Sequence, residues 1–195
     1  PIYAYLYSAT PEMTIGVVCD GCGSMPHSEV GAKLGVSFVA GAIHKTLTAF
    51  GSDIFDPVFW DGVKKILIDK MFAAASLLYG DVETNLSHYF SFTVIGYVIL
   101  AEKTVVFSMG DGCWAVNGNW VKEEPLPGNI PVYPVYNILT DVTVEIPKHK
   151  LDFAVYPYMT QSVQSVFVGS DGMEEVAAAG GKNYPGEAEI IPPIS

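Results

Sequence analysis

The spacing of apolar positions along this chain starts near two, moves to a helical repeat, and returns to two. From Ile2 to Ser8 the alternation is loose and rich in tyrosine, which predicts a strand. Thr14 to Cys19 is almost wholly apolar and predicts a second strand, buried on both faces. Thr10-Pro11-Glu12 reads as the turn that makes the two a hairpin. From Ser28 to Phe50 the repeat is helical, and Val30, Leu34, Phe38, Ile43, Leu47 and Phe50 trace one broad apolar face. Ser28 reads as its N-cap, with Glu29 in the first turn. Gly51 suits the position after its end. Gly31 and Gly35 stand four apart, so a neighbour can approach the backbone there. Asp56-Pro57 opens a second helix as N-cap and first-turn proline. Trp60, Val63, Leu67, Met71, Ala75 and Leu78 keep its period, and Gly80 ends it.

Beyond Ser91 the pattern is strand-like nearly to the end. Phe92 to Ala101 and Thr104 to Met109 predict one hairpin, and Cys113 to Val116 with Trp120-Val121 another, turning on Asn117-Gly118. Pro125 to Tyr136 is a proline-rich loop, readable as a substrate-side flap or a partner surface. Val142 to Ile146 and Asp152 to Tyr156 predict short strands, and Val163 to Val168 the last one. A short helix is expected at 173–179, and the tail from Lys182 to Ser195 reads as irregular. Two strands, two helices and a run of antiparallel strands make an α+β chain with helices packed on antiparallel sheet.

The chain has 195 residues, half of them hydrophobic and 16% charged, so it can bury a sizeable core. It is expected to be one domain over 1–195, with its native ends lacking or not showing. Its net charge is −11, and its ten basic residues are all lysines, scattered along the sequence. Phosphate backbones and anionic membranes demand clustered cations, so neither nucleic acid nor a membrane is an expected partner. The longest apolar run, about Phe92 to Ala101, falls short of the ~20 residues that span a bilayer. Pro1 opens without the basic and apolar regions of a secretory leader. Cys19, Cys22 and Cys113 are an odd number and form no disulfide framework, which suits a reducing cytoplasm.

Candidate chemistry enters with a repeated ending. Three apolar strands finish in Asp-Gly: Asp20-Gly21, Asp111-Gly112 and Asp171-Gly172. One such pair is commonly a turn. If the three strands are neighbours, three carboxylates converge at one edge, and no lysine lies close to them in sequence. Like charges at short range repel, so a hard divalent cation such as Mg²⁺ or Mn²⁺ is the natural counter-ion. The glycine that follows each aspartate lets a backbone carbonyl turn inward as a further ligand.

The stretch VVCDGCGSMPHSEVGAKLGV resembles the signature of the metal-dependent type-2C protein phosphatases, in the form carried by a bacterial subgroup. Val106 to Gly112 is similar to that family's strand ending in Gly-Asp, and Val166 to Met173 to its strand ending in Ser-Asp-Gly. The resemblance runs from about Thr14 to Ala179, with the three motifs in the family's order. It implies a four-layer αββα sandwich, two antiparallel sheets flanked by helix pairs. It also implies two Mg²⁺ or Mn²⁺ ions at one end, with a weaker third. By motif, Asp20 would bridge both metals, the Gly21 carbonyl would bind one and Asp171 the other, and Asp111 matches the position tied to the third. The implied reaction is attack of a metal-bridged hydroxide on the phosphoserine or phosphothreonine of a phosphorylated protein.

This sequence also departs from the family pattern. An acidic residue is expected in the first strand, near Tyr3 or Ala4, and none stands there; no aspartate follows Asp171; and the chain has no arginine to grip a phosphate. Either those groups lie outside this stretch, or the chain is a catalytically inactive binding or regulatory module. A third alternative is a dithiol redox protein using Cys19-x-x-Cys22, and a half-formed zinc site would need Cys113 and a histidine besides. Among the histidines, His44 reads as structural, and His27 is placed to act as a proton donor beside the first motif or simply to face solvent.

Overall fold

Why an apolar strand should end in an aspartate is answered by the two faces of strand β2 (Met13–Gly21). Ile15, Val17 and Cys19 point into one core, and Val18 into another. By the alternation of a strand, Asp20 lies on the Val18 side. The computed structural model describes residues 3–9, 13–50 and 53–173. Within them β1 (Tyr3–Ala9) pairs with β2, and β3 (Phe92–Leu100), β4 (Lys103–Met109) and β7 (Ala154–Met159) complete an antiparallel sheet in the order β1-β2-β3-β4-β7. A three-stranded antiparallel sheet, β6-β5-β8, is formed by β5 (Gly112–Val116), β6 (Asn119–Glu123) and β8 (Val166–Gly169). Pro157 has no amide to donate and sits in β7, the edge of the larger sheet, where the ladder loses nothing.

Three helices cover the larger sheet: α1 (Ser28–Phe50), α2 (Pro57–Ser76) and α3 (Val82–Phe90). The protein is therefore an α+β fold of two antiparallel sheets with helices. Layers of helix, sheet and sheet follow in the expected order. The short helix expected at 173–179, which would begin the fourth layer, lies outside the described residues, as do the turn at 10–12, Gly51 and the tail. No helix among the described residues is long and apolar enough to cross a membrane.

The core between helices and larger sheet is aromatic and dense. Trp60, Phe107 and Phe153 meet with ring centroids 4.8 to 5.8 Å apart, and the Trp60 indole donates to the Ile54 carbonyl at 2.8 Å. The core between the two sheets is smaller. Ile95, Val106, Trp114 and Val116 form it, and Trp114 packs on Tyr156 at 4.6 Å. Its one deep charge, Glu123, accepts from the Trp114 indole at 3.0 Å and the Tyr156 hydroxyl at 3.1 Å, so each carboxylate oxygen has a donor.

Three expectations need correction. The buried face of α1 is only in part the one the large apolar residues trace: Ile43 is buried and Phe38 and Leu47 pack against the core, but Val30 and Leu34 are 40% and 39% exposed, and Ala32, Val36, Val39 and Ala42 are buried instead. Close approach decides this. A Cβ on Gly31 would lie 1.5 Å from the Tyr89 carbonyl oxygen, and one on Gly35 2.7 Å from the Phe92 ring, so the helix packs through its small residues. Ser28 is the first helical residue rather than a cap, and its hydroxyl donates backward to the Cys22 carbonyl at 2.7 Å. Val142 to Ile146 alternates in burial but has no partner strand among the described residues, so it stays irregular. Beyond these, α3 is a helix that no expectation covers, yet its signals are local: Asp81 accepts from the Thr84 amide as N-cap, Glu83 stands in the first turn, and Leu86 and Phe90 are buried four apart.

Candidate functional site

The strand pairing brings the Asp-Gly endings together. Asp20 stands opposite Thr93 in the β2–β3 ladder and opposite Tyr3 in the β1–β2 ladder. Asp111 sits where the chain crosses from β4 in one sheet to β5 in the other. Gly110 and Gly112 flank it with φ of 117° and 132°, and a Cβ on Gly110 would lie 2.6 Å from Thr93. Only glycine makes that crossing without strain or collision. Asp171 follows β8, whose Gly169 pairs with Cys113 of β5. A cavity of about 160 Å³ opens at this end, lined by Asp20, Gly21, Cys22, Gly23, Thr93, Asp111, Pro131, Tyr133 and Asp171. All four residues singled out in the sequence line it.

Their environments differ. Asp111 is 9% exposed, whereas Asp171 is open to solvent and accepts from the Gly172 amide at 2.8 Å. Burial pushes the Asp20 carboxyl up; a hydrogen bond from Ser170 holds it down, and the charge of Asp171 pushes it up again, for a net rise. One oxygen of Asp20, Oδ1, is buried and has no hydrogen-bond partner. An unsatisfied buried carboxylate oxygen costs free energy in a folded chain unless something supplies charge to it. Carboxylate and carbonyl oxygens are the donors that hard divalent cations take, so the donor set fits Mg²⁺ or Mn²⁺. Among the described residues, no three His, Cys, Asp or Glu side chains are drawn together closely enough to hold one ion on their own. A cation here would complete its shell with backbone carbonyl and water.

Sequence reading missed three of the lining residues. Thr93 is signalled only by its ladder position. Pro131 and Tyr133 belong to the proline-rich loop, which wraps back from the small sheet to wall the cavity. Its far end is pinned where Thr140 donates to Glu83 of α3 through its amide at 2.7 Å and its hydroxyl at 2.6 Å. Tyr133 is 6% exposed, and its hydroxyl lies beside Cys22 and near Asp111. Burial first, and the bond with Cys22 second, hold this phenol far above its ordinary range.

The two cysteines of the first motif part company. Cys19 is buried in the helix-side core; burial, and then the Asp20 charge, push its thiol well up. Cys22 faces the cavity. Burial alone would raise its thiol, but hydrogen bonds from Ser24, Tyr133 and the Ser24 and Met25 amides outweigh it and bring the thiol below its usual range. No disulfide joins the three cysteines, and among the described residues no cluster of His, Cys, Asp or Glu could hold a zinc ion. His27 stacks on Tyr89 at 4.8 Å and does not line the cavity, so the proton-donor reading of it is dropped.

The family model described as protein phosphatase 2C matches residues 4–189. Solved structures with the same fold include a bacterial serine phosphatase carrying a point substitution (TM-score 0.54, 15% identity, 90% of this chain and 72% of that one). A second substituted form of a bacterial serine phosphatase matches with TM-score 0.53 and 12% identity, over 90% of this chain and 80% of that one. The serine/threonine phosphatase Stp1 from Staphylococcus aureus matches with TM-score 0.52 and 13% identity, over 89% of this chain and 71% of that one. At such identities the likeness concerns the fold alone. No curated protein sequence matches the chain.

Proposed function

The chain belongs to the protein phosphatase 2C family, whose model spans nearly all of it, and from that premise we propose that it is a metal-dependent phosphatase of phosphoserine and phosphothreonine in proteins. The observation that carries the reading is the buried, unpartnered Oδ1 of Asp20 in a cavity lined by two further carboxylates. We assign Asp20 and the Gly21 carbonyl to hold Mg²⁺ or Mn²⁺, Asp171 to hold a second ion, and Asp111 to serve a weaker third. Divalent cations bound there supply an activated water and a Lewis acid for in-line displacement at phosphorus.

This chain's own residues set the geometry. Ser170 stands beside the Asp20 carboxylate, whose Oδ1 has no protein partner and would be available to the ion. The glycines around Asp111 hold its side chain at the seam between sheets. Pro131 and Tyr133 close one wall, so a phosphoester enters from the side left open. The three cysteines, none of them in a disulfide, favour the cytoplasm as its compartment.

A second reading, a phosphatase fold that binds without turnover, is favoured by one observation: the residues opposite Asp20 and Cys19 on β1 are Tyr3 and Ala4, neither acidic. Hydrolysis of p-nitrophenyl phosphate and of a phosphothreonine peptide, with and without Mn²⁺, decides between them. Manganese-dependent turnover that falls about a thousandfold in Asp20→Asn supports the enzyme. A folded chain that binds Mn²⁺ yet turns over neither substrate supports the binding module.

A further inference from the structure

A phosphatase needs something other than metal to orient the phosphoryl oxygens, and this chain has no arginine for the purpose. Among the described residues, no lysine or histidine lines the cavity either. The lining side chains that carry a donatable proton, carboxyls aside, are Cys22, Thr93 and Tyr133. Tyr133 stands out among them. It enters from the proline-rich loop and lines the same cavity as Asp20 and Thr93. Its position is set by burial of the segment around it: Val132 and Val135 are buried, and its ring meets Tyr136 at 5.2 Å. Its hydroxyl is therefore a fixed donor at the wall of a carboxylate-lined cavity.

We propose that the Tyr133 hydroxyl is the phosphate-orienting group of this site, a neutral donor standing where a cationic side chain would otherwise grip the substrate. The inference rests on the phosphatase reading above and deepens it. Without phosphate the hydroxyl lies beside the Cys22 thiol, and thiol sulfurs are weak acceptors. A phosphoryl oxygen is a strong, charged acceptor. Turning the donor from sulfur to phosphate thus exchanges a weak bond for a strong one, with little motion. A neutral grip has a second consequence. With no cation among the described lining residues, the positive charge that balances a phosphate dianion comes from the metals, so phosphate binding is coupled to metal loading. A cationic grip would instead retain part of its affinity without metal.

Calorimetric titration of inorganic phosphate into the Mg²⁺-loaded and metal-free protein tests this, alongside KM and kcat for p-nitrophenyl phosphate. Tyr133→Phe removes one oxygen and keeps the ring packing; Tyr136→Phe, outside the cavity lining, is the control. We expect Tyr133→Phe to weaken phosphate binding about tenfold, the worth of a hydrogen bond to a charged group. KM should rise by a similar factor with kcat changed less than about twofold, and Mg²⁺-induced thermal stabilisation should be unchanged. Cys22→Ala, which removes the resting acceptor, should bind phosphate at least as tightly as the parent chain. Unchanged phosphate affinity in Tyr133→Phe overturns the proposal. So does phosphate binding of equal strength without metal, or a loss in Cys22→Ala as large as that in Tyr133→Phe, which would make the thiol the donor. Because calorimetry needs no turnover, a chain inactive on p-nitrophenyl phosphate still tests Tyr133, and the phosphatase reading fails separately.

Discussion

On its helix side the five-stranded sheet meets Phe59, Trp60, Phe90 and Phe153, all buried, across a seam with ring-to-ring contacts in every direction. On its other side it meets a much smaller apolar cluster that gives way, at one end, to a cavity rimmed by carboxylates. The same three strands, β2, β3 and β4, supply both faces. One face is filled to exclude water, and dispersion and apolar burial stabilise it. The other stops short of filling, and its last residues are polar: Asp20, Thr93 and, past β4, Asp111. The difference teaches that a strand can serve stability and chemistry at once, because alternate side chains answer to different neighbours. Cys19 and Asp20 are adjacent in sequence, yet one is core and the other lines the site.

The comparison can be broken from either side. The largest effect expected is on turnover: Asp20→Asn should remove about three orders of magnitude of metal-dependent rate while leaving the helix-side core intact, checked by near-ultraviolet circular dichroism. Next is a core truncation. Phe107→Ala opens a void between Trp60 and Phe153 and should cost about 3–5 kcal/mol, read as a fall of about 10 °C in the unfolding midpoint.

A smaller effect runs in the opposite direction. Asp20 is raised in the folded chain, so the folded state binds its proton more tightly than the unfolded state does. That contribution to stability is fully present below the ordinary carboxylate range and is lost as pH rises through the raised value. At neutral pH the metal-free protein should therefore gain stability on Asp20→Asn, read as a rise in its unfolding midpoint. The gain should vanish in acid, and with Mg²⁺ present the parent chain should be the more stable. A melting series from pH 4 to 8, with and without metal, reads all three. Smallest of all is Leu34→Ser, expected within about 1 kcal/mol because that side chain faces outward, whereas a helix packed by its large residues would lose several times more.

Much of this was legible from residue order. The hairpins and the bounds of α1 follow from period, and the start of α2 from its Asp56 cap and Pro57. The Asn117-Gly118 turn, both residues at positive φ, follows from its two residue types. The three Asp-Gly endings pointed to one edge, and the structure lines one cavity with them. Other features could not be read locally. Which face of α1 is buried depended on how near Tyr89 and Phe92 come to Gly31 and Gly35, a distance between elements far apart in the chain. Thr93 joins the site only through its register with Asp20. Tyr133 reaches it only because the loop after β6 folds back and is pinned to α3 through Glu83.

Sequence by itself determined the local choices here: periodicity set strand against helix, glycine allowed the sheet-to-sheet crossing at Asp111, and aspartates at strand ends marked where charge would gather. Tertiary structure alone decided which of those carboxylates is left with an unsatisfied oxygen, which cysteine faces the cavity, and which hydroxyl closes its wall. The physical reason is range. Backbone preference acts over a few residues, whereas desolvation and the meeting of donors and acceptors depend on groups brought together from opposite ends of the chain.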